Sequence, residues 1–432
     1  MMKMLTRIGI AAVLMTLTIT VIPAATRAQN LEGCAWPIEL SPEGFGNATS
    51  PDTAARYWVM PFDGYETMTI KGAYPAARYF SFVAYKTNDA KASIGVDGAL
   101  SDVDIAPDPG SVNPFIEAGD SSGTYTVVIS RAEQASGNAI TVSSDFAWVL
   151  LRVYVPDADP SLSGRNLMGG VPLPTISVTG NGESQPLEPC AQINRLSDVS
   201  AIVSMLLPVD LEGNEGTPTS DQLWFAPPET TPTALLPNPD NKYIVMFPGD
   251  DYQPGRIIVI HGRAPGFPDT YHGSSISTPA SGFATVDVRY WSMCEADLAR
   301  PVPTVACTTD VTTALVDGYY TTVISDDLLR PDWLDPEVNW LPWGDPQYPK
   351  VVFFRNLLPV AGFDHSVQAA REAGCAFEFT LPYIPSRDDA DYDVDAAGPG
   401  APRVMGDYYP VAVWCDRSTF ADGGWRACIE GD

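Results

Sequence analysis

The sequence predicts a mainly β protein made of two tandem jelly-roll-like β-sandwich domains with a few short helices. Three observations lead there. The apolar stretches are short, β-branched or aromatic, and bounded by Gly, Pro, Asn or Asp. Five of them recur in the same order in the two halves of the 432-residue chain. Long runs of helical periodicity are scarce.

Tyr57-Trp58-Val59-Met60 is matched by Tyr243-Ile244-Val245-Met246, and Met68-Thr69-Ile70-Lys71-Gly72 by Ile258-Val259-Ile260-His261-Gly262. Arg78-Tyr79-Phe80-Ser81 returns as Arg289-Tyr290-Trp291-Ser292. Gly123-Thr124-Tyr125-Thr126-Val127-Val128-Ile129-Ser130 returns as Gly318-Tyr319-Tyr320-Thr321-Thr322-Val323-Ile324-Ser325. Leu150-Leu151-Arg152 precedes Pro156 as Phe353-Phe354-Arg355 precedes Pro359. Tyr125, Val127 and Ile129 alternate with the period of a half-buried strand, as do Tyr320, Thr322 and Ile324. Residues 196–207 read as one helix, ended by Pro208. Asp364 reads as the cap of another that runs through Ala373 to Gly374. The expected organisation is a signal segment (1–28), a first sandwich (29–190), a short helix and Pro/Thr-rich linker (191–240), and a second sandwich (241–432).

Lys3 and Arg7, an apolar run over 8–22, and Ala25-Thr26-Arg27-Ala28 before Gln29 have the layout of a cleaved export signal. The run contains Thr16, Thr18 and Thr20 and is short for a membrane span. A secreted or periplasmic protein follows. The formal charge is −28, with 53 acidic against 25 basic residues. That balance repels phosphate backbones and anionic lipid, which excludes nucleic acid and membrane surfaces as partners. The hydrophobic content of 45% is too high for a disordered acidic chain.

Seven cysteines suit an oxidising compartment, with no CxxC to hold zinc. Cys294 and Cys307 form the best local pair, closing a hairpin. Cys34 and Cys190 bracket the first half, and Cys415 has Cys428 or Cys375 to choose from.

Arg152-Val153-Tyr154-Val155-Pro156 followed by Gly170-Val171-Pro172-Leu173-Pro174 resembles the bacterial envelope family called domain of unknown function 1214, which often accompanies domain of unknown function 1254. Asn339-Trp340-Leu341-Pro342-Trp343-Gly344 before Arg355 adds to the likeness. Strings such as Leu100-Ser101-Asp102, Asn113-Pro114-Phe115 and Arg263-Ala264-Pro265 are similar to a broad set of uncharacterised exported proteins. The resemblance spans the chain from about Cys34 to Cys415. It implies tandem jelly-roll-like sandwiches and a homo-oligomer, and it carries no reaction.

Arg78 with Arg289, and Arg152 with Arg355, recur in strands. Each is either a guanidinium fork for a ligand carboxylate or a framework ion pair repeated with the fold. Asp97, Asp102, Asp104 and Asp108 lie on a Gly/Pro-rich loop of a kind that wraps Ca²⁺. Asp388, Asp389, Asp391, Asp393 and Asp395 form a second acidic cluster. It is no EF-hand, because Ala396 and Pro402 stand where Gly and Glu are required. Trp333, Trp340, Trp343 and Tyr348 have the ring content of a sugar platform or of a sandwich core. His261, Asp269, His272 and His365 are the weak candidates for acid–base chemistry. No GxSxG elbow or glycine-rich phosphate loop is present. The expected role is binding of carbohydrate or another cell-surface component, or an envelope structure. The alternative is an extracellular hydrolase of a polymeric substrate.

Overall fold

A computed structural model describes residues 33–89, 91–117, 123–134, 137–158, 167–195, 198, 200–202, 221–228, 235–249, 253–374 and 400–430. The expected export segment, most of the expected 196–207 helix, part of the expected linker, Cys375 and the second acidic cluster lie outside them.

In the first half the apolar blocks become β1 (Ile38–Leu40), β2 (Ala55–Asp63), β3 (Thr67–Ala73), β4 (Ala77–Thr87) and β5 (Ser93–Ser101). They continue as β6 (Thr124–Ser130), β7 (Ala139–Thr141), β8 (Phe146–Pro156), β9 (Thr175–Gly180) and β10 (Glu183–Leu187). The second half contributes β11 (Gln222–Leu223), β12 (Asn241–Met246), β13 (Arg256–Arg263), β14 (Val288–Asp297) and β15 (Thr304–Thr309). It ends with β16 (Tyr319–Ser325), β17 (Asn339–Pro342), β18 (Lys350–Pro359) and β19 (Val411–Asp416).

The first half holds two sheets, ordered β1-β2-β8-β4-β5 and β10-β9-β3-β6-β7. The second holds β12-β18-β14-β15 and β11-β19-β13-β16-β17. The orders correspond strand for strand apart from β1, even to the parallel pairs β6–β7 and β16–β17. Register corresponds as well. Arg152 stands opposite Tyr57 and Ser81, and Arg355 stands opposite Tyr243 and Ser292. One element departs from the expected boundaries. Gln222 and Leu223, placed by sequence in the linker, pair with Val413 and Ala412 and so belong to the second sandwich.

Each sandwich is filled from both of its sheets. Phe80, Phe82, Val149 and Leu151 meet Met68, Ile70, Val127 and Ile129 in the first. Trp291, Met293 and Phe354 meet Ile258, Ile260 and Trp414 in the second. The outer strands β3, β6 and β9 alternate between buried and exposed positions. Strands β4, β8, β14 and β18 are buried almost throughout. That continuous burial arises because the two inner sheets also cover each other, so their strands are apolar on both faces. Tyr79, Leu150 and Tyr154 pack with Tyr290 and Leu357 across this seam, and the Tyr154 and Tyr290 rings lie 5.4 Å apart. The architecture is four sheet layers deep.

Disulfides join Cys34 to Cys190, Cys294 to Cys307 and Cys415 to Cys428. The second links directly opposed residues of β14 and β15. The helix expected from Asp364 runs Val367–Glu372 and is capped by Ser366, whose hydroxyl accepts from Ala369 N. Among the described residues, no helix is long and apolar enough to cross a membrane.

Candidate functional site

The recurrent arginines lie at the seam and bind the halves to each other. Arg78 pairs with Asp310, and Arg289 pairs with Asp102 at 3.0 Å. Each arginine opens its inner strand or lies one residue inside it, and each aspartate follows the neighbouring edge strand of the other half. The two ion pairs are therefore reciprocal. Burial holds the Asp102 and Asp310 carboxyls up to about 6, above the usual range, against the pull of their arginines. Arg355 reaches Asp52 at 3.1 Å, and Arg152 donates to Tyr85 Oη and to the Leu236 carbonyl. The ligand-binding assignment of Arg78 and Arg289 is thus corrected, since both guanidiniums point into the seam and pair with aspartates there. The framework ion pair is what the strands carry.

The expected calcium loop does not converge. Asp97 accepts from Ser143, Asp104 from Ser101, Asp108 from Thr124, and Asp102 holds Arg289. Among the described residues, the one group of three ligand-type side chains close enough to share an ion is Asp52, Cys294 and Cys307. Its two sulfurs are bonded to each other, which withdraws them as ligands.

The expected aromatic platform is also dispersed. Trp343 is buried in the second core against Trp414, with ring centroids 5.6 Å apart. Trp333 packs on Phe420 beneath Arg417, and Trp340 Nε1 donates to Ser325 Oγ. Tyr348 is exposed.

The three histidines serve three places. His272 Nδ1 lies 2.6 Å from Asp269 Oδ1 on an exposed 3₁₀ turn, Thr270–His272. That turn belongs to the β13–β14 connection (264–287), which has only residues 74–76 as its counterpart in the first half. His365 Nδ1 lies 2.9 Å from the Val404 carbonyl and stacks with Tyr408. His261 faces out of the second sandwich's outer sheet, opposite Thr321 in the β13–β16 register, and its Nδ1 is 3.1 Å from Thr321 Oγ1.

Around His261 the chain builds a groove of about 1240 Å³. The C-terminal helical segment, Arg417–Ile429, which is broken at Gly424, is its wall. Phe420 anchors that helix on Ile257, Val259 and Val413, and the Cys415–Cys428 bond ties it to β19. The helix lays Trp425 on His261 with ring centroids 3.7 Å apart and planes within 10°. Tyr319 runs parallel to the imidazole at 5.5 Å, and the Arg426 guanidinium lies 4.5 Å from the Trp425 ring. Burial, helped by Arg426, pushes the His261 pKa down to about 4, so the imidazole is neutral at physiological pH. Leu223, Trp224, Val338 and Ile429 supply apolar wall. Asp317, Asp335, Glu337, Asp407 and Glu430 outnumber Arg403 and Arg426 around it. With no carboxylate partner and a lowered pKa, this imidazole is a weak base. Rings beside carboxylates can instead hold a polyhydroxylated ligand. Among the sequence candidates only His261 lies here. Trp425, Tyr319 and the acidic rim were not singled out.

No protein-family model matches the chain, and no curated protein matches it. Among solved structures, it is similar to an uncharacterised protein from Burkholderia cenocepacia at 16% identity and TM-score 0.47, over 76% of this chain and 79% of that one. It is also similar to a protein from Vibrio parahaemolyticus at 13% identity and TM-score 0.35, over 71% and 84% of the respective chains.

Proposed function

We propose that the protein is an exported binding protein whose outer groove at His261 holds a polyhydroxylated surface component, carbohydrate being the leading class. The observation that carries this is the groove itself, in which Trp425, His261 and Tyr319 stand beside a carboxylate-rich rim. Ring faces and edges cover the apolar side of a sugar while carboxylates accept from its hydroxyls. Three disulfides, a signal-like N-terminal segment and the strongly acidic balance favour an extracytoplasmic location. The likeness to domain of unknown function 1214 adds no chemistry to this reading. The two corresponding sheet pairs are read as copies of one ancestral module, with the groove a property of the second alone.

The hydrolase reading retains one supporting observation, the Asp269–His272 pair, in which the carboxylate orients the imidazole as in acid–base dyads. It lies on an exposed turn, away from the residues of the groove.

Titration of tryptophan fluorescence with a panel of bacterial and plant oligosaccharides tests the binding reading. Saturable binding that weakens at least ~10-fold in Trp425→Ala is expected, since one aromatic contact is worth about 1.5 kcal/mol. Absence of binding across the panel, or full binding by Trp425→Ala, would remove the groove as the site. Hydrolysis products lost in His272→Ala would install the dyad instead.

A further inference from the structure

The two halves present corresponding polar nests at the seam, and one of them lacks the carboxylate that the other places against its serine and arginine. In the first nest, Asp52 closes a turn by accepting from Ala54 N at 2.9 Å, and its carboxylate enters the seam. There it accepts from Tyr290 Oη at 2.8 Å, Ser292 Oγ at 2.7 Å and Arg355 Nη1 at 3.1 Å. All four of these groups are buried.

The corresponding position in the other nest is Asn238, set by the alignment of β2 with β12. It closes the same turn, accepting from Asp240 N at 3.1 Å. Tyr79, Ser81 and Arg152 stand where Tyr290, Ser292 and Arg355 stand in the first nest. Oδ1 of Asn238 faces Asp240 N and lies 3.3 Å from Tyr79 Oη, as Asp52 Oδ1 faces Ala54 N and Tyr290 Oη, so the atom in the place of Asp52 Oδ2 is an amide nitrogen, which lies 3.2 Å from Tyr79 Oη. A donor has replaced the acceptor that Ser81 and Arg152 would need.

Their hydrogen bonding records that exchange. Ser81 Oγ and Arg152 Nη1 are buried without a partner. Arg152 Nη2 turns away to Tyr85 Oη and the Leu236 carbonyl, and Tyr85 is a neutral phenol, pushed up to about 12 by burial. Asp240, the nearest acidic substitute, accepts from Tyr79 Oη at 2.6 Å. Among the described residues no carboxylate contacts Arg152. A guanidinium buried at 3% exposure with a free N–H and no counter-charge is costly, and a bound anion relieves that cost.

We propose that the seam binds one halide-sized monovalent anion, chloride in practice, between Arg152 Nη1 and Ser81 Oγ, beside the Asn238 amide that stands where the Asp52 carboxylate stands in the corresponding nest. The anion is part of the joint between the halves and is independent of the outer groove.

The test is the melting temperature of the full chain in chloride against gluconate, an anion too large for the nest, at matched ionic strength. Chloride should raise Tm saturably, by about 2 °C or more, because it binds the folded state alone. Asn238→Asp, which supplies the missing carboxylate, should abolish the chloride dependence, and Ser81→Ala should reduce it. Crystals grown in bromide should show the ion beside Arg152. Equal Tm in the two salts, a chloride effect unchanged in both variants, or water alone in the nest would overturn the proposal.

Discussion

Asp52→Asn tests how much the seam depends on one buried carboxylate. The Asp52 side chain is fully buried and Arg355 is 2% exposed, so neither charge has water to fall back on. The substitution keeps the shape and the turn to Ala54 N but turns one carboxylate oxygen into a donor. Arg355 Nη1 and Ser292 Oγ both donate to that same oxygen, Oδ2. Ser292 can rotate to accept, whereas a guanidinium has no acceptor to offer. Breaking a buried ion pair by removing one partner costs about 3–5 kcal/mol, a large share of the ~5–15 kcal/mol that holds a domain folded. Arg355→Met in the Asp52→Asn background removes the stranded charge and should recover at least about half of that loss. Urea unfolding of the four proteins of this cycle supplies the numbers, with circular dichroism confirming that each starts folded. A loss under about 1 kcal/mol for Asp52→Asn, or no recovery in the double variant, would show that the pair does not hold the halves together.

Two further expectations concern pH and the C-terminal helix. Asp102 and Asp310 titrate at about 6 when folded against 3.8 when unfolded, so the native state binds more protons between those values and these groups add stability as pH falls from 6 towards 4. His261 works in the opposite direction, because a folded value of about 4 against 6.5 makes the unfolded state the better proton binder and removes stability over pH 6.5 to 4. Stability profiles of His261→Gln and of Asp102→Asn with Asp310→Asn separate the slopes, and a slope of the wrong sign in either contradicts its assignment. Replacing Cys415 and Cys428 by Ser opens a 13-residue loop and should cost about 3 kcal/mol. Hydrogen exchange should then rise along Arg417–Ile429, and uniform protection there would refute the view that this bond holds the groove wall.

Much of the framework was legible because each strand block carries its own period and its own boundary residues. Tyr125, Val127 and Ile129 point into one core in alternation, as a half-exposed outer strand requires. The inner strands gave a different signal, continuous burial, which reports cover on both faces without naming what covers them. The pairing of Cys294 with Cys307 was legible because opposed hairpin residues are local. The groove was not. Trp425 follows Gly423 and Gly424, and Gly424 adopts φ +66° and breaks the helical segment there, so neither piece is long enough to show a helical period. Nor does any spacing announce that residue 425 will lie on residue 261. Arg78 and Arg289 were legible as a matched pair, but their partners Asp310 and Asp102 come from the opposite half, and contacts across a seam leave no mark in a single strand's pattern.

What two corresponding sheet pairs share is set by folding, and what they do not share is free to do something else. The shared positions are the arginines, tyrosines and serines of the seam, and apart from Ser81 Oγ and one nitrogen each of Arg78, Arg152 and Arg355 they are taken up by contacts within the protein. The departures are of two kinds. Some add chain, as the 264–287 connection does in bringing Asp269 and His272 out to solvent, or as the C-terminal helix does in building a wall beside His261. Others change a single atom, as Asn238 does in offering an amide nitrogen where Asp52 offers a carboxylate oxygen. The first kind creates new surface and so can take a large ligand. The second leaves an existing nest with its donors unmatched, so it selects for a small ion of the charge that was lost. One chain can therefore carry an outer ligand site and an internal anion without either disturbing the other, because the second sandwich core lies between the outer sheet that bears His261 and the seam that bears Arg152.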